Sequence, residues 1–381
     1  MPAFAFRHIK DLYPTFWSKS CEMVKAIQGA IHAEATEDYS DKKEAPVVEI
    51  GQWTSRATLD IIGVAGMGQD FNAIKDPDTE LCATYRSIFQ PNRQARLLGL
   101  LSLVVPMWLI RMLPVKRNAQ VRDAAASIRK VCRQLIDQKK AKMNEKEKRV
   151  DTDIISVALE SGGFTEDNLV DQMMTFLAAG HETTASAMVW AIYLLCQNPE
   201  IQVRLREEVR RGLPSIEDTG TPVTSDVLDK LPFLHAVCNE VLRVYSPVAL
   251  TLREAVHDTS IQGQFVPAGA KIVLVPWALN VSTELWGPDA SKFIPDRWME
   301  AGRANNGGAG SAYSFMTFLH GPRSCIGQAF AKAEFACLLA SLVGRFEMEL
   351  ADKEFTLEIQ GGITARPKGG LRIRMREIEG W

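Results

Sequence analysis

One cysteine stands where the sequence could support metal chemistry. The segment 318–327 is a glycine-rich loop that carries Cys325 to the start of a long apolar helix. A helix N-terminus favours a thiolate through its macrodipole and unpaired N–H groups, and Arg323 adds a positive charge two residues away. Gly321 and Gly327 permit tight turns and the close approach of a flat ligand. A thiolate with one open side is a good axial ligand for haem iron. The alternative is that a lone cysteine is a small buried hydrophobe.

A polar cluster interrupts a second apolar stretch. The segment 165–197 predicts a long, largely buried helix with Thr165 as its N-cap. Gly180, Glu182 and Thr183 lie in its middle, where a core helix should be apolar. We expect the helix to open locally there, with the Thr183 hydroxyl bending the backbone hydrogen bonds and making room for a small molecule and water. An acid and a hydroxyl in such a place suit proton delivery. A capped helix junction with surface polar residues is the alternative.

Two opposite charges share one side of a third predicted helix, 233–245. Glu240 and Arg243 lie three residues apart and therefore face the same way. Their apolar neighbours indicate burial, where loss of one partner costs roughly 3–5 kcal/mol. The interpretation of this pair is structural.

The loop around Cys325 resembles the cysteine-loop signature of the cytochrome P-450 superfamily, the haem-thiolate monooxygenases. That signature has fixed places for five residues, and the sequence fills all of them with Phe318, Gly321, Arg323, Cys325 and Gly327. The resemblance implies that Cys325 is the proximal ligand of the haem iron. It also implies that Phe318 packs beside the cysteine, that Arg323 binds a haem propionate, and that Gly327 belongs to the cofactor-binding loop.

The polar cluster of the second helix is similar to the oxygen-activation motif of the same family. The resemblance implies that this helix crosses the distal face of the haem, with Gly180 beside the cofactor. Thr183 would then hydrogen-bond dioxygen or its water, and Glu182 would supply protons from solvent.

Two more motifs resemble the family and follow in the expected order. Glu240 and Arg243 are similar to its Glu-x-x-Arg pair, and Arg297 in the Pro-Asp-Arg-Trp segment supplies the third member. The resemblance implies that this triad locks the cysteine-loop region without taking part in chemistry. Arg253 stands where the family has another propionate-binding arginine, and a solvated strand residue is the alternative.

The resemblance as a whole implies a mainly α fold, the cytochrome P-450 helical bundle with small β-sheets, in a single domain over residues 1–381. It implies haem b as cofactor and electrons from NADPH through a flavoprotein reductase. The reaction would insert one oxygen atom of dioxygen into a lipophilic small molecule, by hydroxylation or epoxidation. A peroxide-rearranging haem protein is a second hypothesis, against which the intact Glu182–Thr183 pair argues.

Composition limits the other partners. The 381 residues are 46% hydrophobic and 24% charged, as in ordinary folded proteins, and the net charge of −2 gives no indication of nucleic acid binding. Seven scattered cysteines without a CxxC pair indicate neither a zinc site nor a disulfide framework.

Membrane contact is left open by the sequence. The family implies the endoplasmic reticulum membrane, yet residues 1–10 hold no apolar run long enough for a signal peptide or an anchor. The apolar stretch 97–110 predicts either a buried helix hairpin or a surface that dips into lipid or lines an access route for a lipophilic substrate.

The family also has parts that the sequence does not match. These are a membrane anchor, early strands and a helix with Trp-x-x-x-Arg, which in the family precede the part that resembles residues 1–10. We therefore expect a chain that is N-terminally incomplete, and a haem-poor, non-catalytic fragment is the third hypothesis.

Overall fold

The computed structural model describes residues 4, 6–37, 45–89, 93–102, 104–144, 153–160 and 162–381. Within them helices predominate and strands are short, which confirms the predicted mainly α fold. The α-helices are α1 (Phe6–Asp11), α2 (Tyr13–Glu37), α3 (Ile50–Ile61), α4 (Glu80–Phe89), α5 (Arg93–Leu101), α6 (Met107–Met112), α7 (Lys116–Asn144), α8 (Ile154–Glu160), α9 (Glu166–Gln197), α10 (Pro199–Gly212), α11 (Ser225–Leu228), α12 (Pro232–Val244), α13 (Pro276–Asn280), α14 (Thr283–Trp286) and α15 (Gln328–Arg345). A π-helical turn covers Ile62–Gly66, and 3-10 turns cover Pro295–Trp298, Ala312–Ser314 and Gly321–Arg323.

The described strands form four small antiparallel sheets. The strands are β1 (Val47–Glu49), β2 (Thr251–Glu254), β3 (Thr259–Ile261), β4 (Gln264–Val266), β5 (Lys271–Leu274), β6 (Phe346–Leu350), β7 (Ile359–Gln360), β8 (Arg366–Pro367) and β9 (Arg372–Glu377). One sheet has the order β1-β9-β6, and the others pair β2 with β5, β3 with β4 and β7 with β8. Val48 pairs with Ile373 and Met348 with Met375, so β9 occupies the middle of the largest sheet.

A tight hairpin connects two strands of the segment 259–266. Gln262 and Gly263 join β3 to β4 with φ angles of 48° and 79°. Two successive positive φ values are those of a type I′ turn, whose twist matches that of the strands on either side.

Helix α9 is the central element that positions the site. The Thr165 side chain caps it by accepting a hydrogen bond from the Asn168 N–H at 3.3 Å, as predicted from the sequence. Its apolar side chains are buried against α3, α12 and α15, and Trp190, Leu195 and Met188 are fully enclosed. This burial is what stabilises so long a helix, since isolated helices gain little from propensity alone.

The expected opening of α9 is absent, because the helix runs unbroken from Glu166 to Gln197. A Cβ added at Gly180 would lie 3.0 Å from Cδ1 of Ile62, closer than ordinary contact allows. Ile62 begins the π-helical turn that follows α3. Glycine at position 180 therefore allows α9 to pack closely against the π-helical turn at Ile62–Gly66. The departure from regular α-helix lies in that turn and not in α9.

The segment 47–66 consists of three elements. Val47–Glu49 is strand β1, and the helix begins only at Ile50. Glu49 ends the strand and caps α3, because its carboxylate accepts the N–H groups of Gly51 at 3.2 Å and Gln52 at 2.9 Å. The apolar side chains of Val47 and Val48 suit a strand or a helix equally, so the sequence pattern does not show where the strand ends and the helix begins.

Helices α5 and α6 leave much apolar surface in solvent, so the interpretation of 97–110 as a buried hairpin is wrong. Leu97 and Leu100 are 67% and 65% exposed, Val104 is 81% exposed and Trp108 is 62% exposed. None of the helices in the described ranges is long and apolar enough to cross a bilayer.

Candidate active site

Cys325 lies between a 3-10 turn, Gly321–Arg323, and the start of α15. Its backbone N–H donates to the carbonyl of Phe318 at 2.8 Å, which closes the loop. Leu319 and Gly321 have φ angles of 56° and 78°, so the chain doubles back tightly there. The cysteine side chain is exposed, with its sulfur on a cavity.

Two effects act on the pKa of the Cys325 thiol in opposite directions. Protein atoms packed around the sulfur raise this pKa, although part of the side chain is accessible, and the hydrogen bond from the Gly327 backbone N–H lowers it. Helix α15 begins at Gln328, three residues beyond the sulfur. A metal cation at the sulfur would favour the thiolate more strongly than these N–H groups do.

The cavity next to Cys325 has a volume of about 210 Å³ and brings together four of the predicted site residues. Cys325, Phe318 and Arg323 come from the loop, and Thr183 comes from α9. Most other lining side chains are apolar: Ala187, Leu242, Pro247, Val248, Pro276 and Phe335. Two elements far apart in sequence therefore face each other across an apolar space.

Thr183 is held by its own helix. Its Oγ1 donates a hydrogen bond to the carbonyl of Ala179 at 2.8 Å, and the side chain is half-buried. A hydroxyl that donates to the backbone keeps its lone pairs for another donor. Thr183 can therefore accept a hydrogen bond from water or a ligand in the cavity. Thr184 also lines the cavity, a position that the motif alone did not reveal.

Glu182 faces the opposite side of α9 from Thr183. Its Oε1 accepts hydrogen bonds from Thr364 Oγ1, at 2.9 Å, and from Arg366 Nη2. The carboxyl group is buried and borders a second, larger cavity of about 490 Å³. Sequence reasoning missed Thr364 and Arg366, because they lie on a distant segment without a local signal.

Three of the other predicted site residues do not line the cysteine cavity. Gly180 packs on Ile62, and Gly327 sits beside the sulfur without bordering the space. Arg253 lies at the rim, where Nη1 donates to Thr251 Oγ1 at 3.1 Å and to the Leu252 carbonyl at 2.8 Å. Thr251 itself does line the cavity.

Glu240, Arg243 and Arg297 meet in the interior. Glu240 accepts from Arg243 Nε and Nη2, both at 2.8 Å, and from Arg297 Nε at 2.9 Å. The Trp298 indole and the Ile294 backbone N–H, each at 2.9 Å, complete a set of donors around this carboxylate. Glu240 and Arg243 are wholly buried, and the hydrogen bonds from Arg297 and Trp298 tie α12 to the 3-10 turn at Pro295–Trp298.

A buried acid, Glu334 on α15, was missed by the sequence reasoning. Its side chain is fully enclosed, and within the described residues neither carboxylate oxygen has a hydrogen-bond partner of normal geometry. The Thr184 hydroxyl is the nearby polar group. Burial raises the pKa of Glu334 well above its ordinary value, so the folded protein keeps this group protonated.

Comparison with known proteins agrees with this geometry. The sequence profile of the family "Cytochrome P450" matches residues 7–372. The chain is 48% identical over 385 residues to "Cytochrome P450 monooxygenase sphH" of Aspergillus fumigatus, a match that covers 100% of this chain and 69% of the relative. It is 44% identical over 421 residues to "Cytochrome P450 monooxygenase FUM15" of Gibberella moniliformis, a match that covers 99% of this chain and 70% of the relative. It is 43% identical over 434 residues to "Cytochrome P450 monooxygenase ALT8" of Alternaria alternata, a match that covers 100% of this chain and 72% of the relative.

The chain belongs to the cytochrome P450 family. Its enzyme class is that of the cytochrome P450 monooxygenases, whose cofactor is haem.

The residues of the cysteine cavity fit such a cofactor. The sulfur of Cys325 opens onto an apolar space. Arg323 lines the same space and has no carboxylate within 4.0 Å in the part of the chain that the structure describes, so its charge is available for a propionate. These two groups are what a haem held by a thiolate needs from the proximal loop.

Proposed function

We propose that the chain inserts one oxygen atom of dioxygen into a lipophilic small molecule, by hydroxylation or epoxidation, with electrons from NADPH through a flavoprotein reductase. The observation that carries the proposal is the opening of the Cys325 sulfur onto an apolar cavity whose far wall holds Thr183. The apolar lining favours a lipophilic substrate, because burying a charge there would be costly.

The residues around the cavity would take distinct roles. Cys325 would hold haem b, and Arg323 would pair with one of its propionates. Bound in this way, haem supplies the iron centre at which dioxygen is activated. Thr183 would hold a water molecule through its free lone pairs. Glu182, on the other face of α9, would exchange protons with solvent in the second cavity, and its bonds to Thr364 and Arg366 keep the carboxyl in place.

Haem binding tests the proposal directly. The purified 381-residue chain is reconstituted with haem, reduced and exposed to carbon monoxide, and the absorption spectrum is recorded. We expect the Soret band of a thiolate-bound haem, its loss in Cys325→Ala and its retention in Cys21→Ala, which removes a half-buried cysteine on α2. NADPH-dependent oxygen consumption with added reductase tests the reaction. An unchanged spectrum in Cys325→Ala would refute the ligand assignment.

A second candidate, a haem-poor fragment without catalysis, is favoured by one observation. Cys325 is exposed to solvent beside a cavity of only about 210 Å³, so few protein contacts hold a cofactor there. This candidate predicts that the 381-residue chain loses haem on gel filtration, whereas a chain carrying an added N-terminal extension keeps it.

We also propose that α5 and α6 contact a membrane, that of the endoplasmic reticulum in a eukaryotic cell. The support is the exposed apolar surface of Leu100, Val104, Trp108 and neighbouring residues, which is larger than isolated exposed side chains account for. Flotation with phosphatidylcholine vesicles should carry the native chain and lose Leu100→Glu/Trp108→Glu. The control Val203→Glu, at an exposed residue of α10, should still float. Equal flotation of all three would oppose membrane contact through these helices.

A further inference from the structure

The second cavity lies on the face of α9 away from Cys325. It has a volume of about 490 Å³, within the range of small-molecule pockets, and is bordered by α3, α4, α9 and the segment 366–371. Its lining is rich in polar and charged side chains, in contrast to the cysteine cavity. The charged side chains that line this cavity therefore determine which ligands it can bind.

Arg56 presents donors to the cavity that no side chain satisfies. Its guanidinium lies 3.8 Å from the centre of the Trp53 ring, and Nε donates to the Gln52 carbonyl at 3.3 Å. In the described part of the chain its two Nη groups have no hydrogen-bond acceptor, and no carboxylate lies within 4.0 Å. The stacking and the single Nε bond fix the plane of the group, and the side chain lines the cavity.

Arg86 places a second positive charge on the same cavity. Its Nη2 donates to the Pro77 carbonyl at 2.9 Å, and over the described ranges it too lacks a carboxylate within 4.0 Å. Burial lowers the pKa of Arg56, and the positive charge of Arg86 lowers it further, while Cys82, Asp60 and Glu49 oppose the shift. Two guanidinium groups thus repel each other across a partly enclosed space.

The acids of this cavity are already bound to other groups. Glu49 accepts backbone N–H groups from Gly51, Gln52 and Leu371, and Glu182 is held by Thr364 and Arg366. His181 contributes no charge near neutral pH, because burial lowers its pKa. Within the described ranges neither carboxylate hydrogen-bonds to Arg56 or Arg86, and of the two only the charge of Glu49 acts on Arg56.

We propose that this cavity is a binding site for the anionic oxygen group, a carboxylate or a phosphate, of a small molecule that bridges Arg56 and Arg86. A guanidinium matches the oxygens of such groups with paired N–H donors. Filling the site relieves the repulsion between the two arginines. The site lies across α9 from the cysteine cavity and does not depend on haem.

The test measures binding of two probes, succinate and inorganic phosphate, to the full 381-residue chain by isothermal titration calorimetry at constant ionic strength. We expect saturable binding of at least one probe. Arg56→Gln and Arg86→Gln should each weaken it by about tenfold or more, the equivalent of about 1.4 kcal/mol. Arg376→Gln, which removes an exposed arginine that pairs with Glu347, should bind as the native chain does. The stronger probe identifies the source of the anionic group as a carboxylate metabolite or a phosphate compound.

Two results would overturn the proposal. One is the absence of saturable binding of either probe to the native chain. The other is equal binding by the native chain, Arg86→Gln and Arg376→Gln. Because Arg86 is exposed and Arg56 packs on Trp53, Arg86→Gln separates loss of binding from loss of structure, and far-UV circular dichroism of each variant checks the fold.

Discussion

Replacing Glu240 with glutamine tests whether the buried charge cluster stabilises the fold around the cysteine loop. Five donors converge on this carboxylate, two of them from Arg243 and one from Arg297. In Glu240→Gln one carboxylate oxygen becomes an NH2 group. At least two of the five N–H donors would then face another donor instead of an acceptor. Two buried arginines also lose their counter-charge. Breaking a buried ion pair in this way costs roughly 3–5 kcal/mol, and we expect a loss of that size in the free energy of unfolding.

Urea unfolding followed by far-UV circular dichroism measures this loss, and the chain offers a matched control. Asp296 lies next to Arg297 in sequence and pairs with Arg204 at 2.8 Å, but the two side chains are 57% and 49% exposed. Asp296→Asn should therefore change the free energy of unfolding by only about 0–1 kcal/mol. If Glu240→Gln lowered it by no more than the control does, the cluster would not be what fixes this region.

Two further substitutions test burial elsewhere. Glu334 stays protonated in the folded chain because burial raises its pKa. Above the ordinary carboxyl pKa, near 4.3, the unfolded chain releases this proton and the native chain keeps it, so native stability falls by about 1.4 kcal/mol per pH unit until the folded carboxyl ionises. Glu334→Gln should thus gain stability relative to the native chain as pH rises, as thermal melts at several pH values would show. Gly344→Ala places its Cβ against the Trp381 ring, closer than van der Waals contact allows, and should destabilise by about 1–3 kcal/mol in urea titrations, whereas Gly29→Ala, with no atom within 4 Å, should be neutral or stabilising.

These two predictions fail on clear outcomes. The first prediction fails if the difference in unfolding free energy between Glu334→Gln and the native chain does not vary with pH. Glu334 would then have the same pKa in the folded and the unfolded chain. Equal effects at Gly344 and Gly29 would show that Trp381 can move away at no cost.

Local patterns gave the parts of the fold that depend on neighbouring residues. Thr165 is predicted as an N-cap from its place before an apolar run, and its side chain caps α9. Glu240 and Arg243 meet because their spacing of three puts them on one helix face. In each case the physical cause lies within a few residues of the signal.

Long-range contacts could not be predicted in the same way. Nothing near Gly180 indicates that Ile62 will fill the space beside it, and nothing near Glu182 points to Arg366. The thiol of Cys325 shows the same limit, because the helix terminus is visible in the sequence, whereas the protein atoms packed around the sulfur, which raise the pKa of the thiol, are not. Burial is a property of the assembled chain.

The middle position of β9 affects the order in which the chain can fold as it is made. Strands β1 and β6 do not pair with each other, and each hydrogen-bonds only to β9, Arg372–Glu377, in the three-stranded sheet. During translation more than three hundred residues are synthesised after Val47–Glu49 before its partner strand, β9, leaves the ribosome. The edge of β1 is therefore exposed to other nascent chains for most of synthesis, and a chaperone that covers this edge should raise the yield of folded protein.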